Sequence, residues 1–186
     1  MMPKVLLFGG LATIALLAGC AYNDNVDRAP EPSYASVAKS EFIAANYRAA
    51  DALMEQFKSQ AYGGPLIVAT VVNIDLLEQS STLGRLISEQ VSARFSQRGF
   101  SVVEMKFRSN VYMKKSAGEL LLTREINEIA RSHDAQAVIV GTYGTSGDAV
   151  FINMKIVQPG NNIVMAAYDY VLPYNNEIRV MLGRAK

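Results

Sequence analysis

The side chains suited to covalent or acid–base work are few. The chain of 186 residues holds one cysteine, Cys20, and one histidine, His133. A lone thiol has no disulfide partner, and on an exported protein an exposed thiol is an oxidation liability. Its neighbours suggest another use. Cys20 closes the tetrad Leu17-Ala18-Gly19-Cys20, behind an apolar run from Val5 to Leu17 and one early positive charge, Lys4. A short charged start, an apolar core of secretory length and small residues at a cleavage point describe an export signal over residues 1–19, not part of the fold.

The tetrad resembles the bacterial lipobox, where the cysteine thiol receives diacylglycerol and a dedicated peptidase then cuts before it. Two alternatives compete, an ordinary cleaved signal and a membrane helix. The run is shorter than the roughly 20 apolar residues that a spanning helix needs. The lipoprotein resemblance implies three acyl chains on Cys20, each buried methylene contributing about 0.8 kcal/mol to anchoring. Ala21 follows, not the aspartate associated with inner-membrane retention. The resemblance therefore implies an outer-membrane anchor with the rest of the chain facing the periplasm.

No nucleophile–base arrangement is visible, so no residue is assigned a catalytic role. His133, in Ser132-His133-Asp134, falls at the expected end of a helix, where a positive charge interacts favourably with the helix C-terminus. Asp75 and Glu78 follow the first expected strand, where open α/β sheets place ligand sites. Arg85 and Glu89 stand close by on the next helix, spaced to pair at i, i+4. These four form the candidate interaction surface; the competing reading is a solvated loop with a helix-surface ion pair. The loop supplies too few oxygens for a metal, and no cofactor is expected. Gly63-Gly64 precedes a strand, and Gly141 to Gly147 joins two strands, so neither is a phosphate cradle. Tyr143, Tyr168, Tyr170 and Tyr174 are candidates for an exposed aromatic contact surface, with core packing an equal explanation for about half of them.

Removal of residues 1–19 takes away one charge, Lys4, and equalises the 18 basic residues with the 17 acidic ones. A neutral chain has no field to recruit nucleic acid. Residues 20–40 carry Pro30 and Pro32 and lack apolar periodicity, as a tether would. Such a tether spans on the order of 25 Å as a coil and roughly 60 Å extended. Residues 41–186 are the expected domain.

Helical spacing of Ile43, Tyr47, Ala50, Met54 and Phe57 predicts a helix over Ser40–Ser59, with Ser40 as N-cap. Leu66 to Val72 reads as a strand covered on both faces, and Asn73 to Ser80 as a polar loop. Ser81 caps a helix over Thr82–Arg98, with Leu83, Leu86, Ile87, Val91 and Phe95 buried. Gly84 costs that helix about 1 kcal/mol relative to alanine, a cost offset by close backbone approach to the sheet. Gly99 stops it. Phe100 to Met105 is a second strand, Lys106 to Gly118 a loop, and Leu120 to Leu122 either an edge or a helix start. Thr123 to Ser132 is a helix burying Ile126, Ile129 and Ala130. Ala137 to Thr142 is a strand and Gly144 to Asp148 a turn. Val150, Ile152, Met154 and Ile156 alternate with outward residues along a strand over Ala149–Val157. Pro159 to Asn162 is a turn, Ile163 to Leu172 a strand ended by Pro173, and Asn176 to Ala185 a closing helix. Strands joined through helices lie parallel. The fold class is α/β: a single domain, a mixed β-sheet with parallel βαβ units, a C-terminal antiparallel β-meander, and helices packed on the sheet.

Several segments in this order resemble the FlgO domain family. They are Val68 to Asp75, then Ser81-Thr82-Leu83-Gly84-Arg85-Leu86-Ile87-Ser88-Glu89-Gln90, then Arg98-Gly99-Phe100 before Val102-Val103-Glu104. Gly118-Glu119-Leu120 with Thr123-Arg124-Glu125, Ala137 to Tyr143, and Val150 to Val157 complete the likeness, over about residues 42 to 173. Asn73 and Gln79 stand where the family often has acidic residues, which weakens a cation-binding reading. The family is named for a flagellar outer-membrane lipoprotein that supports flagellar stability and motility. The lipobox, the tether and the missing catalytic set point to a non-enzymatic periplasmic scaffold, with outer-membrane lipid and envelope proteins as partners; the resemblance adds flagellar proteins and assembly with copies of itself. The architecture is also similar to tethered lipoproteins that activate peptidoglycan synthases, the alternative function.

Overall fold

The computed structural model describes residues 41–58, 63–105 and 125–183. The export signal, Cys20, the tether, Ser40, Ser59, the stretch from Lys106 through Arg124 and the last residues of the expected closing helix lie outside the described residues. In chain order the elements are α1 (Glu41–Phe57), β1 (Leu66–Val68), β2 (Val72–Asn73), α2 (Thr82–Gln97), α3 (Glu125–Ser132), β3 (Ala137–Ser146), β4 (Ala149–Val157), β5 (Val164–Pro173) and α4 (Asn176–Met181). β1 and β2 both run parallel to β3, and β3, β4 and β5 form an antiparallel meander. This is the mixed α/β sheet of one domain that the pattern predicts.

α1, α2 and α4 cover one face, around Leu53, Phe57, Leu66, Ile87, Phe95, Ile139, Ile152 and Met154. α3 covers part of the other, packing Ile126, Ile129 and Ala130 on Ile67, Ala69 and Val138. The alternation along β4 is as expected: Val150, Ile152, Met154 and Ile156 are buried, and Phe151 is exposed. The buried stripe of α1 is rotated from expectation, however. Phe42, Ala49 and Leu53 lead it with Ala50, Met54 and Phe57, while Ile43 and Tyr47 are half-buried at its margin. On α2, Leu86 is exposed and not part of the stripe. Asp51 clamps the two helices together, accepting from Arg94 at 3.0 and 2.7 Å and from Arg98 at 3.1 Å on each oxygen. Arg94 also lies 5.1 Å from the centre of the Tyr47 ring, a cation–π contact.

The segment read as one strand, Leu66 to Val72, is interrupted. Val68 pairs with Ile139 and Val72 with Thr142, so four steps on one strand oppose three on the other. That is a one-residue bulge, and a bulge leaves backbone groups without ladder partners. Side chains satisfy them: Ser88 Oγ accepts from Val71 N at 2.9 Å and lies within donating distance of Ala69 O and Gly84 O. Ser80 Oγ donates to Val71 O at 2.7 Å. α2 reaches this close because residue 84 has no side chain; a Cβ there would stand 2.0 Å from Val71 O. The close approach inferred for Gly84 is what the structure contains.

Phe100 to Met105, expected as a strand, forms no ladder. A single parallel bridge sets Val102 opposite Leu66, through Leu66 N to Ser101 O at 2.8 Å and Val103 N to Leu66 O at 2.9 Å. The helix terminus uses the start of this segment. Gly99 at φ +89° turns the chain, Phe100 N bonds Phe95 O at 3.1 Å, and the Phe95 and Phe100 rings meet edge-on, a Schellman stop with its apolar contact. β3 in turn outruns its expected end at Thr142, because the hairpin closes through Gly147 and Asp148 alone, with Ser146 opposite Ala149.

Candidate functional site

The loop between β2 and α2 is tied down along its length. Ile74 N bonds Tyr143 O at 2.9 Å, Asn73 N bonds Gln79 O at 2.9 Å, and Gln79 N bonds Leu76 O at 2.8 Å. Asn73 Oδ1 accepts from Asp75 N at 2.9 Å, an Asx turn. Ser81 Oγ accepts from Gly84 N at 3.3 Å, the N-cap expected for α2. The loop is not polar throughout, contrary to the sequence reading. Ile74, Leu76 and Leu77 are 57%, 52% and 49% exposed, which makes its tip apolar. Asp75 and Glu78 are exposed on it, and Arg85 and Glu89 are exposed on α2, Arg85 Nη2 donating to Thr82 Oγ1 at 3.2 Å.

Beside this loop the part of the sheet's second face that no described helix covers forms a concavity of about 560 Å³, lined by Ile74, Asp75, Phe151, Asn153, Asp169 and Val171 among others. Phe151 and Val171 face each other across β4 and β5 and stay more than half exposed. Asn153, opposite Asp169, donates to its carboxylate. Of the four residues singled out from sequence, only Asp75 lines this space; Glu78, Arg85 and Glu89 do not. Phe151, Asp169 and Val171 were not anticipated. The one available signal was Phe151 on the outward side of an alternating strand. Two carboxylates and an apolar floor, with no cationic residue among the described residues of the lining, suit a ligand that is both basic and apolar.

The tyrosines form no exposed platform. Tyr143 is buried, and Tyr168, Tyr170 and Tyr174 pack against the main core. Tyr170 donates its hydroxyl to Asn46 Oδ1, and Asn46 Nδ2 donates to Gln90 Oε1 at 2.6 Å. Burial pushes the Tyr170 hydroxyl well above the usual phenol range. His133 sits at the C-terminus of α3 as expected, its backbone N bonding Ile129 O at 3.2 Å. Asp134 follows at φ +48°. Among the described residues no cluster of three or more His, Cys, Asp or Glu side chains could hold a metal ion. Among them, too, no helix is long and apolar enough to cross a membrane.

The family model described as FlgO protein matches residues 47–177. Comparison of the sequence with curated proteins finds no match. Among solved structures the fold is similar to the LpoB C-terminal domain from Salmonella enterica, with a TM-score of 0.51, 18% identity, and 72% of this chain and 98% of that one covered. The LpoB C-terminal domain from Escherichia coli gives a TM-score of 0.51 at 16% identity, over 72% of this chain and 98% of that one. The NMR structure of E. coli LpoB gives 0.50 at 16%, over 91% and 85%.

Proposed function

We infer the function from one premise: the chain belongs to the FlgO protein family. On that reading it is a non-enzymatic lipoprotein of the cell envelope, held to the outer membrane by acylated Cys20, whose periplasmic domain is a scaffold acting through protein contacts. The observation that carries it is the Leu17-Ala18-Gly19-Cys20 tetrad behind an apolar export segment. Residues 1–19 would be removed and residues 20–40 would tether the domain. The exposed apolar tip of the β2–α2 loop, with Asp75 and Glu78 on it, supports a protein-binding role. Support of flagellar assembly or motility is the family-specific form of this reading.

Cys20→Ser is expected to move the protein from the membrane fraction to the soluble periplasm; unchanged membrane association would contradict the anchor. Deleting the gene in its host and scoring swimming and basal-body structure tests the flagellar form, which normal motility would remove. A second reading, a tethered regulator of a peptidoglycan synthesis enzyme, is supported at the level of fold by the likeness to LpoB. Pull-down with residues 40–186 separates the two, since a synthase and flagellar ring components differ in mass.

A further inference from the structure

Among the described residues, the outer edge of β5 is obstructed at two points and open between them. Among the described residues no strand lies beyond β5. Gln56 of α1 takes both backbone groups of Ala167: its Nε2 donates to Ala167 O at 3.0 Å, and its Oε1 accepts from Ala167 N at 3.2 Å. The Ala167 backbone groups therefore aim away from β4. Because outward and inward residues alternate along an antiparallel strand, those of Asp169 and Val171 aim the same way. Pro173, next in that alternation, has no N–H to offer. Edges in soluble proteins are normally blunted. Here a clamp and a proline leave one window of two outward residues, and the side chains of both line the concavity.

We propose that this window takes an extended, basic segment of a partner protein as an added strand, with side chains from that segment entering the concavity. The proposal rests on the reading of the domain as a protein-contact scaffold. Main-chain bonds to Asp169 and Val171 give the attachment, and alternate side chains give the selection. Asp75 and Asp169 line the space with no cation among the described residues there, and Phe151 with Val171 provides an apolar floor. Lysine or arginine alternating with aliphatic residues complements both. A second copy of this chain fits less well, since it brings the same two carboxylates. Pairing about Tyr170 sets each Asp169 against an apolar Val171. A shift of register in one direction opposes Asp169 to itself, and in the other wastes a bond on Pro173.

The test uses the full-length acylated protein in detergent and a labelled peptide of four Lys-Val repeats, with four Glu-Val repeats as control, followed by fluorescence anisotropy. The basic peptide is expected to bind and the acidic one not. Val171→Pro removes one outward N–H and leaves the ladder to β4 in place, because Tyr170 and Leu172 point inward; affinity should fall about five- to tenfold, the value of one hydrogen bond. Gln56→Ala frees Ala167 and should tighten binding several-fold, which keeps the test decisive should Val171→Pro fail to fold. Wild-type affinity in Gln56→Ala together with either wild-type affinity or misfolding in Val171→Pro overturns the added strand. Equal binding of the two peptides overturns the charge assignment. A concentration-dependent dimer that Gln56→Ala strengthens, without peptide binding, overturns the partner in favour of a second copy. Membrane fractionation of wild-type cells is scored separately: loss of anchoring there sinks the lipoprotein reading, whereas a failed titration with anchoring intact sinks only the strand.

Discussion

Gly84→Ala should destabilise the domain although it improves the intrinsic helicity of α2. The propensity gain is about 1 kcal/mol. Against it, the new methyl would sit 2.0 Å from Val71 O and 2.5 Å from Ser80 Oγ, where van der Waals contact requires roughly 3.2 Å. A backbone carbonyl in a bulge cannot swing aside as a flexible side chain can, so α2 must retreat by about 1 Å, an overpacking cost of about 1–3 kcal/mol. The retreat stretches two bonds that hold the bulge, Val71 N to Ser88 Oγ at 2.9 Å and Ser80 Oγ to Val71 O at 2.7 Å, each contributing about 1 kcal/mol. The net is a loss of about 2–4 kcal/mol. For a domain of this size that lowers the melting temperature by roughly 5–15 °C. Urea unfolding of the chain lacking residues 1–19 and carrying Cys20→Ser measures it, with Ser96→Ala on the exposed side of the same helix as the propensity control. Equal or greater stability in Gly84→Ala would refute the close-approach argument.

Ser88→Ala removes the acceptor of buried Val71 N and should cost about 1–3 kcal/mol by urea unfolding; combined with Gly84→Ala the losses should be less than additive, since both act on one contact. Tyr170→Phe leaves Asn46 Oδ1 without its donor inside the core and should cost about 1–2 kcal/mol by the same measurement. Hydrogen bonds from Arg94 first, then from Arg98, with burial opposing them, hold the Asp51 carboxyl at about 2 against an unperturbed 3.8. A depressed carboxylate stabilises the fold fully above its unfolded value and stops doing so as pH falls through its folded one. Wild type should therefore lose about 1 kcal/mol between pH 4 and pH 2 that Asp51→Asn does not lose, the figure reduced because the side chain is 36% exposed and screened; parallel pH curves for the two proteins would contradict the clamp.

Local signals were legible where one residue type answers to one geometry. Ser81 as a cap, Gly99 as a stop and Gly84 as a contact point each follow from a backbone requirement that few residues meet. The alternation of β4 was legible for the same reason. The bulge at Ala69 to Val71 was not, because a short run that is apolar but for Thr70 looks the same with or without an inserted residue. The hydroxyl that stabilises it comes from Ser88, on the far side of the loop. Leu86 falls outside the buried stripe because helical spacing defines a stripe without its exact centre. At the candidate site, Asp75 could be found from its place after a strand. Phe151 was legible only as an outward residue of an alternating strand and Asp169 not at all, since both join it through the register of β3, β4 and β5.

That register also explains why the loop and the sheet edge act as one surface. Ile74 is fixed to β3 by its bond to Tyr143 O, and a Cβ at Gly144 would come within 3.1 Å of the Ile74 side chain. The loop base is thus seated on the strand that carries β4 and, through it, β5. Backbone groups of Asn73, Ile74, Asp75, Leu76 and Gln79 are already bonded before any partner arrives. Ordering a free loop of that length would cost on the order of 1–2 kcal/mol per residue. A tip held this way presents Ile74, Leu76 and Leu77 with that entropy already lost, so more of the contact energy is available for binding. In the proposed anchored form, confinement near the membrane would raise the effective concentration of partners held in the same layer, and modest contacts of two backbone residues and a small apolar patch would then suffice.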